Sequence, residues 1–307
     1  MHRNFIVFGP ADALRSVARE LEPVAEIVSI ALDDRGALKP PGGVLTIQAL
    51  NRSADEVLRR LDPLAQRGDV IILFGAANAI VDVERQEMID KDADTMLWEE
   101  MQQNLRNEGR ISVNSLALMA LGGAIAAAAL VAMPLLHLLG LLASSIISPG
   151  FAPIAGISLG IAMGRLSVVR RAALAALAGY AVTVLAAALT FLLLRALNPG
   201  VTAKLLSSST SALVAINAPT LLISAAAAVA GALMIVSLRD IYVVGSLIAL
   251  ALVPAAALLG CAAAAGEWHV VVRSLAVIGV DAGLIVAGSL LVFWLEQRFF
   301  HRRRAMA

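Results

Sequence analysis

Three serines, two prolines and a glycine crowd the middle of a segment apolar enough to lie in a membrane. In LLASSIISPGFAPIAGISLGIAMG, from Leu141 to Gly164, they are Ser144, Ser145, Ser148, Pro149, Gly150 and Pro153. Hydroxyls and freed backbone carbonyls are the groups that would hold a small polar or ionic solute. Proline has no amide hydrogen and clashes with the carbonyl four residues back; here those carbonyls belong to Ser145 and Pro149. Gly150 is free to take angles closed to other residues. At membrane depth, unpaired backbone groups persist only where protein buries them or a wet cavity meets them. Half-helix ends would add partial charges there, positive at the N-terminal end and negative at the C-terminal end. A second proline, Pro254 in GSLIALALVP, interrupts a later apolar segment. Asp281, in AVIGVDAGLIVAG, is the one acid deep in a span, and an intramembrane carboxylate marks proton or cation handling by default. Asn217 and Thr220 open another segment and either help line the same site or cap its helix. The competing reading of the serines is a kinked helix whose hydroxyls bond back to carbonyls. For Asp281 it is a buried structural acid. Tyr180 reads as a packing residue whose hydroxyl finds one partner.

The elements that must position these groups follow from composition. The chain has 307 residues, 59% of them hydrophobic, and a mean hydropathy of +0.83, which points to a polytopic membrane protein. The net charge of +1 hides two unlike parts. Residues 1–111 hold 13 Lys/Arg and 19 Asp/Glu, whereas residues 112–307 hold 11 and 4. No basic, aromatic-interleaved patch supports a nucleic-acid partner. The single Cys261 excludes an intrachain disulfide and a cysteine metal cluster. His2, His137, His269 and His301 lack the paired spacing of a metal site. No nucleophile–base pair or metalloenzyme motif points to an enzyme, and no cofactor is implied.

Six spans are expected, over 112–137, 140–164, 172–194, 210–237, 241–265 and 274–296, each near the ~20 residues a bilayer core needs. With both termini cytoplasmic, ten arginines flank the inside, among them Arg165, Arg170 and Arg171, against Arg195, Lys204 and Arg273 outside, as the positive-inside rule requires. The spans also repeat. GLLASSIISP (140–149) lies over GSLIALALVP (245–254), residues 164–193 lie over 266–295, and Asn114 lies over Asn217. Three spans per copy is an odd number, so the second copy enters from the opposite face. This predicts a 3+3 inverted repeat with a broken middle helix in each copy, Pro149 matching Pro254. Matched breaks of that kind point to a midplane site. The abundance of Gly and Ala suggests close helix packing and a homo-oligomer.

Ahead of the membrane part, residues 1–77 read as βαββαβ, a ferredoxin-like α+β cytoplasmic domain. Strands are expected at Phe5–Phe8, Glu26–Leu32, 42–50 and 69–75. The first helix places Leu14, Val17, Ala18 and Leu21 on one face; the second opens with Ser53 as N-cap and Glu56 in a capping box. A turn is expected at Asp33–Gly36. The opening MHRNFIVFGP has an apolar run too short for a signal peptide. Residues 78–111 form a charged connector whose Met96, Leu97, Met101 and Leu105 recur at helical spacing. Residues 112–297 form the transmembrane domain, and 298–307 a basic cytoplasmic tail.

SPGFAP in a broken span, the later GSLIALALVP and the stretch NAPTLLISAAAAVAGAL together resemble the bacterial and archaeal membrane proteins of domain-of-unknown-function family 389. The resemblance covers roughly 112–297 and implies an α/β domain in front. Ser148, Pro149, Pro153, Val253 and Pro254 match the family's pattern. Ala152, Ala255 and Asp281 depart from it, standing where glycine, proline and asparagine are usual. The family name implies no activity. The sites themselves suggest a secondary transporter or exchanger in the inner membrane. A membrane sensor or scaffold whose cytoplasmic domain binds a regulatory ligand, and a channel, stay open beside it.

Overall fold

The computed structural model describes residues 2–77, 92, 96–108, 110–132, 134–205, 213–237 and 252–299. They fall into two compact units, Met1–Glu100 and Met101–Arg298.

In the first unit the elements run β1 (His2–Gly9), α1 (Ala11–Leu21), β2 (Ile27–Leu38), β3 (Pro41–Leu50), α2 (Ala54–Gln66) and β4 (Ile71–Ala77). The four strands form one antiparallel sheet in the order β2-β3-β1-β4. Strand alternation sends Phe5, Val7, Leu45, Ile47 and Ala49 to one face. There they meet Leu14, Val17 and Leu21 of α1 and Val57, Leu58 and Leu61 of α2 in one core. Three local expectations are corrected. Asp33–Gly36 is not a turn: β2 continues through it past a register shift between Asp33 and Ala37, and the reversal comes at Lys39–Pro40. Ser53 stands at the N-cap of α2 without a side-chain cap bond, because its hydroxyl donates to Leu50 O at 2.9 Å. Glu56 instead pairs with Arg59 and Arg60.

The unit reaches past residue 77. Leu97 joins the same core. Asp92 Oδ2 accepts from Asn51 N at 2.7 Å. Arg3, fully buried, donates to Asn51 Oδ1 at 2.7 Å and to Glu100 Oε1 at 2.5 Å. Of the connector, 78–91 and 93–95 lie outside the described residues. The rest includes helix α3 (Trp98–Glu108), with Met96, Leu97, Met101 and Leu105 buried.

The second unit is helical: α4 (Val113–Leu130), α5 (Pro134–Ile147), α6 (Phe151–Ala162), α7 (Leu166–Leu197), the short α8 (Val201–Leu205), α9 (Ala218–Val236), α10 (Leu252–Ala265) and α11 (Trp268–Phe299). Helices α4, α7, α9 and α11 are long and apolar enough to cross a membrane; α5 and α6, bent by 46° at their junction, make a fifth span if taken together. The six expected spans thus reduce to four or five among the described residues. Of the expected span 241–265, only the shorter apolar helix α10 is described; 238–251 lie outside, as do 206–212 and 300–307. The first span stops at Leu130 rather than residue 137. Pro134, suited to a first helical position, opens α5, which takes His137 with it. At 32 residues each, α7 and α11 are about 48 Å long, more than the ~30 Å of a hydrocarbon core. Arg170, Arg171 and Arg273 lie in the second turns of these helices and not in loops.

Small residues set the packing. Along α7 every fourth residue, Ala175, Gly179, Thr183 and Ala187, is buried, while Leu177, Leu185, Leu189 and Leu193 are exposed. Lipid solvates leucine as well as protein does, so close backbone approach decides which face turns inward. A Cβ on Gly123 of α4 would overlap the Thr183 carbonyl, and Gly179 meets Met119. The contacts 119–179 and 123–183 ascend together, so α4 and α7 run parallel. On α9 and α11, the Ser224 side chain lies beside Asp281 and Ala228 meets Gly288, and these helices also run parallel.

Two further contacts exchange partners. Ser158 of α6 donates to Val286 O of α11 at 3.2 Å, and Gly260 of α10 abuts Val184 O of α7. Residues 158 and 260 differ by 102 positions, and so do 184 and 286. The helix ends match at the same offset. Gly164 and Gly266, at φ +68° and +83°, end α6 and α10 in the left-handed conformation that favours glycine. Arg165 N donates to Gly160 O at 2.8 Å, and Glu267 N to Ala262 O at 2.9 Å. Counted back from these glycines, Pro254 falls beside Pro153 rather than Pro149.

Candidate functional site

The break lies between α5 and α6, and proline makes it. Pro149 offers no amide to Ser145 O, so the α5 ladder ends with Ser148 N donating to Ser144 O at 3.2 Å. Gly150 N then turns back to Ser148 O at 2.8 Å. Gly150 itself sits at φ −82°, ψ −27°, so the expectation of glycine-only angles there is corrected: any residue could adopt them. Pro153 falls in the first turn of α6, where an amide would lack a helical partner anyway. It starts the second half-helix instead of breaking one.

Ser144, Ser145 and Ser148 are fully buried. Their hydroxyls donate within their own helix, to Leu141 O at 2.8 and 3.0 Å and to Ser144 O at 2.8 Å. Each oxygen keeps lone pairs that can accept. Gly122 of α4 presses on this cluster, its missing Cβ leaving room for the Ser148 hydroxyl. Pro254 is buried in α10, and Leu250, whose carbonyl it was expected to free, lies outside the described residues. Asn217 and Thr220 form a capping box at the start of α9: Thr220 N donates to Asn217 Oδ1 at 3.0 Å and Asn217 N to Thr220 Oγ1 at 3.1 Å. The matching cap on α4 is Ser112, which accepts from Ser115 N, and not Asn114 as the alignment suggested.

Asp281 is buried on the inner face of α11, with the Ser224 side chain of α9 beside it. Tyr180 of α7 reaches the break: its hydroxyl donates to Gly150 O at 3.2 Å and lies within electrostatic range of Asp281. The structure thus brings Gly150, Tyr180 and Asp281 into one neighbourhood, with α11 held against α6 through Ser158 and Val286. Nothing in the local sequence marks Ser224 or Ser158, whose neighbours Asp281 and Val286 lie 57 and 128 positions away. Chemically, the arrangement offers one carboxylate, hydroxyls and a half-helix junction within an apolar surround.

Residues 146–287 match the model of the family described as a domain of unknown function (DUF389). The matched segment spans the helix break, Tyr180, Ser224 and Asp281. No curated protein and no solved structure matches the chain. Its apolar helices make it a membrane protein.

Proposed function

We propose that this membrane protein is a secondary transporter or exchanger for a small polar or ionic solute. In this reading it consists of two inverted copies of a three-span unit behind a ferredoxin-like cytoplasmic domain. The observation that carries the reading is the exchanged pair of contacts, Ser158 to Val286 and Gly260 to Val184. Each copy's half-helix rests on the other copy's long helix at the equivalent point, the relation a pseudo-two-fold axis requires. Three spans per copy make that axis lie in the membrane plane. The parallel contacts agree: Met119–Gly179 in one copy correspond to Ser224–Asp281 in the other. Where the first copy has methionine against glycine, the second has a hydroxyl against a carboxylate, and that asymmetry favours a coupling role for Asp281. The solute site is assigned to Ser144, Ser145, Ser148 and the backbone from Pro149 to Pro153, next to Tyr180. Both termini are cytoplasmic, lipid surrounds the spans, and the chain forms a homo-oligomer in the inner membrane.

A second reading has its own support. The serine hydroxyls donate inside their helix and Gly122 packs tightly on them, as in a structural kink. The membrane unit would then be a scaffold for a ligand-sensing N-terminal unit. Uptake into proteoliposomes across a panel of solutes and ions separates the two. Ser148→Ala should weaken solute binding by ~1 kcal/mol, the net worth of one hydrogen bond. Asp281→Asn should abolish the pH dependence of uptake. An unchanged pH profile makes Asp281 structural. Absence of uptake for every solute, with a ligand bound by the N-terminal unit, establishes the scaffold.

A further inference from the structure

The inner face of α11 carries more polar groups than its packing uses. Ser274, Asp281, Ser289 and Glu296 are all buried. Their spacings of 7, 8 and 7 residues keep them within one arc of the helix, at intervals of about 10–12 Å along its axis. The other buried hydroxyls of the membrane unit reach a carbonyl: Ser144, Ser145, Ser148 and Thr183 donate one turn back, and Ser158 donates to Val286 O. Ser274 Oγ and Ser289 Oγ do not. Both are fully buried and reach no hydrogen-bond partner. A buried hydroxyl left unpaired costs about 1–3 kcal/mol, and in native proteins such groups mark ordered water or an ion. Two of them flank the one carboxylate deep in the same helix.

We propose that the buried face of α11 is a hydrated track to Asp281, with Ser274 and Ser289 as its rungs, and that the species it delivers is a proton. Water bridges the intervals between rungs. Each water accepts one proton and donates another, so nothing is consumed, and Asp281 takes the proton on a carboxylate oxygen and returns it by the same route. A single carboxylate beside hydroxyls is too small a donor set for a divalent cation, which takes six or more oxygens. The groups that face Asp281 are Ser224 from α9 and Tyr180 from α7; α6 brings only the Ser158 hydroxyl, toward Val286. Glu296 lies at the far end of the track. The inference rests on the transporter reading, since it supplies the route by which Asp281 would be loaded.

The test is accessibility, and it needs no solute. In a Cys261→Ala background, Ser274→Cys and Ser289→Cys are reconstituted in liposomes and exposed to silver ion, which follows narrow water files and reacts with ionised thiol. Protection against a maleimide added after denaturation reports the reaction. Leu275→Cys and Leu291→Cys, exposed on the outer face at neighbouring depth, are the controls, since a thiol in lipid stays protonated. Reaction at least tenfold faster at both serine positions is expected; rates equal to the controls overturn the track. Infrared spectroscopy supplies the proton arm. A protonated-carboxyl band that is lost in Asp281→Asn and shifts on transfer to D2O is expected; no such band at any pH, or one that does not exchange, overturns the proton. Accessible rungs with an exchanging carboxyl but no uptake of any solute uphold the track and refute the transporter.

Discussion

Removing Glu100 should destabilise the N-terminal unit more than any surface change there. The Arg3 side chain is fully buried, and its guanidinium is held by Glu100 at 2.5 Å and by Asn51 at 2.7 Å. Burial is the largest influence on both charges. It lowers the pKa of Arg3 and raises that of Glu100, against the mutual attraction that works the other way. The pair therefore does not recover its desolvation, and its loss on one side only is the damaging change. Breaking a buried pair typically costs about 3–5 kcal/mol. Asp92 also attracts Arg3, which puts Glu100→Leu near the lower end, about 3 kcal/mol. At a urea slope of about 1.5 kcal/mol/M, the midpoint should fall by about 2 M. Arg3→Met with Glu100→Leu should recover most of this, short by about 1 kcal/mol for leaving Asn51 Oδ1 without its donor. The pH dependence has a definite sign. Between the ordinary carboxylate range and the raised pKa of Glu100, the folded state holds more protons than the unfolded one. This group's contribution is complete below that window and declines as pH rises through it, and the double variant should flatten the slope. The assay is urea unfolding followed by circular dichroism on residues 1–108, with the full chain as control. A loss below 1 kcal/mol for Glu100→Leu, or a double variant no better than the single, would refute the reasoning.

Two further expectations concern the membrane unit. Gly260→Ala should lower the thermal stability of the protein in detergent by several degrees, because the new methyl would overlap the backbone carbonyl of Val184. Gly279→Ala, where a methyl meets nothing, should raise stability by up to ~1 kcal/mol through helix propensity; equal effects at the two sites would contradict the packing. Cysteines placed in the 198–200 loop should be labelled only from outside and those at position 168 only from inside; the reverse at either position overturns the inverted topology.

The elements of the N-terminal unit were legible because strand alternation and helical spacing are local signals. Phe5 and Val7, Leu45 and Ile47, and the Leu14–Leu21 face of α1 all lie in the core that their periodicity implies. The composition of Asp33–Gly36 favours a reversal, but pairing with β3 on both sides carries the strand through it. That Leu97 and Glu100 complete this unit could not be read, since a charged connector gives no sign of its partner. In the membrane unit, hydropathy located the apolar helices, and Pro149 located the break, because a missing amide acts through the chain's own backbone. Which face of an apolar helix turns inward is a different matter. Without water to sort leucine from alanine, close approach at Gly122, Gly123 and Gly260 decides it. Only the tertiary structure bonds Tyr180 to Gly150, sets Ser224 beside Asp281 and leaves Ser274 and Ser289 buried without a hydrogen-bond partner. Those relations join residues far apart in the chain, and they exist only once the helices have packed.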